Sequence, residues 1–159
     1  MRKQAYIGID PGKSGSICVL IPSIKKVHFF PTTDTPAELI YMLGRAQKEL
    51  NVVIAVIEDV HAIFGTSAKS NFNFGFNTGH VTGIIQASGI SVTKVTPKVW
   101  QKYVGVKSKG KLIKKEVAEI CTSLYPEVNV RGPKGGLLDG KSDSLCIAHY
   151  AAYNFQQDT

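Results

Sequence analysis

Apolar runs of two kinds mark the strands in the first part of the chain. The segment 5–10, AYIGID, alternates and ends at a Pro11-Gly12 turn, which predicts a strand. A second strand over 15–22 follows one short turn later, so a hairpin is expected, and 26–31 could add a third strand. The run 52–59, VVIAVIED, is continuous and rich in β-branched residues, so we expect a buried, central and parallel strand.

Helical spacing and capping residues predict the remaining elements. Thr35-Pro36 opens a helix whose apolar residues include Leu39 and Leu43. The other predicted elements are a helix from 67 to about 88, a strand over 90–95, a helix opened by Thr96-Pro97, a helix over 111–124 and a last helix starting near Ser142. This order predicts one α/β domain, residues 1–159, with a mixed central sheet flanked by helices.

Charge is concentrated in one part of the chain. The net charge is +7, and eight lysines with no acidic residue lie between Lys94 and Lys115. Such a stripe favours a polyphosphate partner, usually nucleic acid, although it also suits a solvated face of a basic protein.

Composition limits the protein's location. The sequence contains neither an apolar run of about 18 residues nor a signal peptide, so we expect no membrane span and a cytoplasmic location. Cys18, Cys121 and Cys146 lack metal-ligand spacing and are typical of reduced, mostly buried thiols in an intracellular protein.

A match to the phosphate-binding loop of NTPases occurs near the C-terminus. Gly135, four further residues and Gly140-Lys141-Ser142 fit that pattern. The preceding segment, EVNVRGPK, is too polar and too broken by glycine and proline for the buried strand that such a loop needs. Only 17 residues follow Ser142, which leaves no room for further strands. We therefore expect no nucleotide triphosphate to bind.

Acidic residues occupy the ends of buried frameworks. Asp139 and Asp143 are four apart at a helix start, so their side chains share one face and repel unless a proton or cation lies between them. Taken alone, this pair also suits a capping aspartate and a solvated one. Asp10 and Glu58 each end an apolar strand, and parallel neighbours would bring those ends together. All-carboxylate sites suit Mg²⁺ or Mn²⁺.

Four motifs follow one another along the chain: YIGIDPGKSGS, VIEDVH, FNTGHVTGIIQASGISVTKVTPKVWQKYV and DGKSDSLCIAHYA. Together they resemble RuvC-type Holliday junction resolvases, members of the RNase H-like nuclease superfamily, and the last motif is most like the phage and plastid branches. In many bacterial members the last two acidic positions are three apart, whereas Asp139 and Asp143 are four apart.

The resemblance implies an endonuclease that acts as a homodimer on four-way DNA junctions and leaves 5′-phosphate and 3′-hydroxyl ends. Asp10 would bridge two Mg²⁺ ions, for which Mn²⁺ could substitute, and Glu58, Asp139 and Asp143 would complete the site. Two such ions about 3.5–4 Å apart can activate a water and stabilise the leaving oxygen.

The resemblance also implies DNA contacts. One or two lysines near the last acidic motif would approach the scissile phosphate, and the candidates are Lys107, Lys109, Lys111, Lys114 and Lys115. The family places a base-stacking aromatic residue three positions after the glutamate, where this chain has His61. We expect His61 to stack, or Phe64, Phe72 or Phe74 in its place, although each also suits an ordinary core position. Trp100 and Tyr103 are expected in the core rather than in contact with a ligand.

Gly75, Gly79 and Gly83 recur every four residues along one predicted helix. Each glycine costs about 1 kcal/mol relative to alanine, so three in register need a structural reason. The stripe either packs on the domain's own sheet or forms a dimer contact.

Three other functions remain open at this stage. GIDPGKSGS also resembles the phosphate loop of actin and sugar-kinase ATPases, but those proteins need two such domains. A non-catalytic nucleic-acid-binding domain would be expected to lack one of the four carboxylates. A related nuclease acting on linear DNA or RNA also fits the sequence.

Overall fold

A five-stranded mixed sheet forms the centre of the protein in a computed structural model that describes residues 1–32, 35–61 and 65–156. Its strands are β1 (Gln4–Asp10), β2 (Ser16–Ile21), β3 (Lys26–Pro31), β4 (Asn51–Glu58) and β5 (Val92–Val95). The order across the sheet is β3-β2-β1-β4-β5. The pairs β1–β2 and β2–β3 are antiparallel, and β1–β4 and β4–β5 are parallel. The predicted hairpin, third strand and parallel inner strand are confirmed.

Helices cover both faces of the sheet. They are α1 (Pro36–Glu49), α2 (Ala68–Ala87), α3 (Pro97–Val104), α4 (Leu112–Leu124) and α5 (Asp139–Asn154). The apolar residues of α1 and α2 are buried against one face of the sheet, and those of α3, α4 and α5 are buried against the other face. The predicted mixed α/β architecture is therefore confirmed. In the described part of the chain, no helix is both long and apolar enough to cross a bilayer.

The alternation along β1 separates the two cores. Ile7 and Ile9 belong to the core that holds α1 and α2, whereas Tyr6 belongs to the core that holds α5. Cys18, Cys121 and Cys146 are free thiols buried in this second core, as the sequence indicated.

The last helix lies directly on the backbone of β1. A Cβ added at Gly8 would lie 2.1 Å from the carbonyl oxygen of Ser144 and 2.3 Å from the backbone nitrogen of Ala148. Only glycine permits this approach, so residue 8 sets the distance between the strand and the helix. The helix begins at Asp139, three residues before the predicted start at Ser142.

Gly8→Ala should lower the free energy of unfolding by about 3 kcal/mol or more, because the added methyl group meets backbone atoms that cannot move separately. Gly44→Ala is the matched control, since a Cβ in that part of α1 would meet nothing within 4 Å. The control should gain about 0.5–1 kcal/mol from its better helix propensity. Urea unfolding measures both, and a Gly8→Ala variant as stable as the parent would disprove this contact.

Candidate active site

A tight turn fixes the first acidic residue. Asp10 is the last residue of β1, and its Oδ1 accepts a hydrogen bond from the backbone N–H of Gly12 at 2.9 Å. The N–H of Gly15 donates to the carbonyl oxygen of Gly12 at 2.8 Å. A Cβ at Gly15 would lie 2.1 Å from the carbonyl oxygen of Asp10, so this glycine is required by the close turn.

Glu58 ends the neighbouring parallel strand. Ile57 is paired with Ile9 of β1, so Asp10 and Glu58 both lie at the carboxyl edge of the sheet, as predicted. Glu58 is also paired with Val95 of β5. Its Oε1 accepts a hydrogen bond from the indole Nε1–H of Trp100 at 2.9 Å.

The first turn of α5 brings two further carboxyl groups to this edge. Asp139 is the first residue of the helix and Asp143 follows one turn later. A Cβ at Gly140 would lie 2.1 Å from the carbonyl oxygen of Ser14, so the helix start touches the turn that follows β1. The carboxylate of Asp139 forms an ion pair with Nζ of Lys114 from α4.

The carboxyl groups are close enough to perturb one another. Burial raises the pKa of Asp143 to about 8. Repulsion from three acidic neighbours adds to this pKa shift, and Lys114 opposes it; those neighbours are Asp10, Glu58 and Asp139. The four predicted acidic residues therefore lie in one cluster, which we call the acidic cluster.

Glu58 and Asp10 show the same effect. Burial raises the pKa of Glu58 to about 7, against the hydrogen bond from Trp100 and with the help of the Asp10 charge. Burial also raises the pKa of Asp10, although the bond from Gly12 acts in the opposite direction. Burial thus disfavours the charged forms of these carboxyl groups by more than their own hydrogen bonds recover.

Lys114 contributes a positive charge at the edge of the acidic cluster. The hydrogen bond to Asp139 is the main cause of a raised pKa for Lys114, which stays protonated.

Among residues 1–32, 35–61 and 65–156, no three His, Cys, Asp or Glu side chains already stand in an arrangement that could hold a metal ion. The donor set nevertheless fits Mg²⁺ chemically, because it consists of carboxylate oxygens whose mutual repulsion a divalent cation would relieve.

The residues that match a phosphate-binding loop have other roles here. Gly140 permits the contact with Ser14, and Nζ of Lys141 lies 5.4 Å from the ring centroid of Phe29, a cation–π distance. The described chain before α5 contributes an isolated bridge between Arg131 and Leu137 rather than a strand of the sheet.

The predicted DNA-contacting lysines divide into two groups. Lys107, Lys109 and Lys111 are exposed in the segment between α3 and α4, and Lys114 reaches the acidic cluster. Although no acidic residue interrupts the stripe in sequence, Glu116 accepts hydrogen bonds from the backbone N–H groups of Lys107 and Ser108.

Lys115, the remaining candidate, does not join the cluster. It forms an exposed ion pair with Glu119 along α4, at 3.8 Å.

The predicted aromatic contacts lie on α2 and in the segment before it. His61 is exposed and Phe74 is half-buried, and both line an open groove of about 560 Å³. Phe64 lies outside the described residues. Phe72 and Phe76 are 71% and 66% exposed and stack at 6.4 Å, which makes them better placed than Phe74 to meet a flat ligand.

The glycine stripe faces away from the sheet. Gly75, Gly79 and Gly83 are exposed in the same groove, and a Cβ at any of them would meet nothing within 4 Å. Of the two interpretations of the stripe, packing on the protein's own sheet is therefore wrong. The stripe leaves a smooth helix face open.

Two solved structures share this architecture. T. thermophilus RuvC in complex with Holliday junction substrate matches with a TM-score of 0.67 and 17% identity, over 94% of this chain and 93% of that chain. A second Thermus thermophilus RuvC structure matches with a TM-score of 0.61 and 17% identity, over 95% and 97% of the two chains. The chain has the RuvC fold. No protein-family model and no curated protein sequence matches the chain.

Two contacts of the site were missed by sequence reasoning. Trp100 is in the core as expected, whereas the core position expected for Tyr103 is wrong, since this residue is 44% exposed. The bond from Trp100 to Glu58 was not foreseen, and neither was the pairing of Lys114 with Asp139. The available signal was weak: Trp100 follows the Thr96-Pro97 helix start, which comes directly after the strand that pairs with β4.

The metal-free protein should lose stability as pH rises through the range in which the cluster ionises. Asp143 binds its proton more tightly in the folded state, where its pKa is about 8, than in the unfolded chain, where its ordinary pKa is 3.8. The free energy of unfolding therefore falls between about pH 4 and about pH 8 and stays low above that range.

Asp143→Asn removes this charge. In EDTA, the free energy of unfolding of the variant should exceed that of the parent by several kcal/mol at pH 9, because each tenfold gain in proton affinity on folding is worth about 1.4 kcal/mol, and the difference should shrink towards pH 4. Urea unfolding across the pH range tests this, and a difference that does not depend on pH would contradict the burial of Asp143 in the cluster.

Proposed function

We propose that this chain is a metal-dependent endonuclease that resolves four-way DNA junctions. The observation that carries the proposal is the convergence of four carboxyl groups at the carboxyl edge of a sheet with the RuvC fold. Open α/β sheets place their sites at this edge. The related Thermus structure holds a Holliday junction substrate, and it supports the choice of branched DNA over other phosphodiesters.

The residues proposed to hold the metal are Asp10, Glu58, Asp139 and Asp143. When bound, two Mg²⁺ ions, or Mn²⁺ in their place, would supply Lewis-acid activation of water and charge neutralisation at the phosphate. Asp10 would be the shared ligand of the site, because its charge raises the pKa of both Glu58 and Asp143. Its bond from Gly12 occupies Oδ1 and orients the carboxylate.

Lys114 has two roles in this proposal. Without metal it offsets the charge of Asp139. With metal and DNA it would release Asp139 and turn its ammonium group to a phosphate oxygen, which requires only rotation of an exposed side chain. Lys107, Lys109 and Lys111 would contact the DNA backbone beside it, where phosphate contacts set position and affinity.

The protein is proposed to act as a homodimer, since symmetric cuts across a junction need two sites. The proposed contact is the open face of α2 with its three glycines. A smooth helix face of this kind lets a second backbone approach closely, and the adjoining rings of Phe72 and Phe76 offer apolar area at its edge. The opened bases of the junction would stack on the exposed side chain of His61 or Phe72.

Two observations favour a second candidate function. Because Lys114 already neutralises Asp139, and the described acidic side chains do not yet stand as metal ligands, the chain could bind branched DNA without cutting it. Cleavage distinguishes the two functions, since both predict binding.

With Mg²⁺, the purified protein should cut a synthetic four-way junction and leave a matched linear duplex intact. Asp10→Asn should lower the cleavage rate by more than about 100-fold, because even residues that only support metal ligands cost 10–100-fold. Junction binding should persist or tighten, since removing a negative charge does not weaken attraction to phosphate. Gel-shift and cleavage assays on one preparation measure both.

Asp59→Asn is the matched control. Asp59 follows Glu58 in the chain but forms an ion pair with Lys94 at 3.6 Å, away from the cluster. Its cleavage rate should stay near that of the parent. Normal cleavage by Asp10→Asn would remove that residue from the site, and junction binding without any cleavage by the parent would favour the non-catalytic function.

Gly79→Leu should convert a dimer into a folded monomer. The new side chain enters open space in the protomer, so thermal stability should hold, while it blocks approach of a second helix. Gly44→Leu on α1 is the control, since its Cβ is equally free and it lies on another helix. Light scattering gives the mass of each; a monomeric parent, or a dimeric Gly79→Leu, would contradict this interface.

A further inference from the structure

Trp100 is the only tryptophan of the chain, and its side chain is buried, with 1% of the residue exposed. It lies in the core formed with α4 and α5, among residues that include Val56, Val95 and Leu145. A buried indole N–H must find an acceptor, because an unpaired one costs free energy. The acceptor here is Oε1 of Glu58, at 2.9 Å.

The fold holds this pair together from both sides. Glu58 is paired with Val95 in the β4–β5 ladder, and the N–H of Asp59 donates to the carbonyl oxygen of Val95 at 2.8 Å. Helix α3 starts with Pro97, two residues after that strand ends, so its first turn carries Trp100 back over the end of β4. Strand pairing and helix start therefore fix the donor relative to the backbone of Glu58.

The hydrogen bond restricts a side chain that would otherwise rotate. Glutamate has three rotatable bonds, and Glu58 ends its strand at the edge of the sheet. The packed indole ring cannot follow it, so Oε1 is tied to one position. Among the described residues, no hydrogen bond occupies the other oxygen, Oε2.

We propose that Trp100 is a positioning residue, whose indole N–H holds Oε1 of Glu58 so that Oε2 is presented to a divalent cation in the acidic cluster. The inference rests on the proposed function, because it takes Glu58 as a metal ligand. Supporting bonds of this kind orient ligating carboxylates in metal sites generally, and their loss costs metal affinity.

The alternative role for this bond is structural: Glu58 would merely satisfy a buried donor. The two roles differ in what happens when the donor is removed without changing the fold. A structural bond affects stability alone, whereas a positioning bond also affects how tightly the cluster binds a cation.

The test measures Mn²⁺ affinity by calorimetry on the DNA-free protein, together with the melting temperature. Trp100→Phe removes the donor and keeps an aromatic ring. It should weaken Mn²⁺ binding about 10-fold, the lower end of the range for supporting residues. Glu58→Gln is the reference for loss of the ligand itself and should weaken binding at least as much.

Tyr6→Phe is the matched control. Tyr6 is another buried aromatic residue that carries a hydrogen-bond donor, and its hydroxyl group donates to Oε1 of Gln4 at 2.9 Å. It lies near the start of β1, at the opposite end from Asp10. Its loss should lower the melting temperature without changing Mn²⁺ affinity.

A second replacement guards against a packing defect in Trp100→Phe. Benzothienylalanine at position 100 has nearly the shape of tryptophan but carries sulfur in place of N–H. It should weaken Mn²⁺ binding as Trp100→Phe does while leaving the melting temperature closer to that of the parent. In the parent, Mg²⁺ should change the fluorescence of the single tryptophan, and Glu58→Gln should abolish that change.

The outcomes separate this inference from the function on which it rests. Weaker binding in both position-100 variants, with Tyr6→Phe unchanged, supports positioning. Parent-like affinity in both variants, while Glu58→Gln binds weakly, overturns the positioning role and leaves the metal site intact. If the parent binds no Mn²⁺, or Glu58→Gln binds it as the parent does, the proposed site fails and the inference fails with it.

Discussion

The contact between the backbone of β1 and the first half of α5 is the constraint on which the site depends. Gly8 allows the helix to touch the middle of the strand, and Gly140 allows its first turn to touch Ser14 after the strand ends. Both contacts join α5 to β1 or to the turn that follows it, so the strand and the helix cannot separate without losing both. Because Asp10 ends the strand and Asp143 lies in the helix's first turns, their carboxyl groups are forced together.

The cost of this arrangement falls on the acidic cluster. The pKa of Glu58 is raised to about 7 and that of Asp143 to about 8, chiefly by burial. Apolar residues of similar volume at these positions would often give a protein that is equally stable or more stable. Here the surrounding cores hold the charges in place, Trp100 supports one of them and Lys114 offsets another. Burial of these acidic groups therefore lowers the stability of the metal-free protein, a cost that a cation would offset under the proposed function.

Periodicity was sufficient to predict the strands, the helices and the side-by-side ends of β1 and β4. Those features follow from burial, which the apolar pattern reports directly. The pattern could not say which way the glycines of α2 face, because a stripe of small residues suits an internal or an external contact equally. It also could not find the bond from Trp100 to Glu58, since a core position and a supporting position have the same apolar signature. Gly140 belonged to a phosphate-loop pattern, yet the structure explains it by close backbone approach to Ser14.

Under the proposed function, the acidic cluster binds catalytic metal ions. Anomalous diffraction from crystals soaked in Mn²⁺ tests it most directly, because it locates each ion without relying on activity. Two anomalous peaks are expected between Asp10, Glu58 and the start of α5, with Lys114 displaced from Asp139. If crystals soaked in saturating Mn²⁺ show no peak at this cluster and the ion pair between Lys114 and Asp139 is intact, metal binding by the cluster is contradicted.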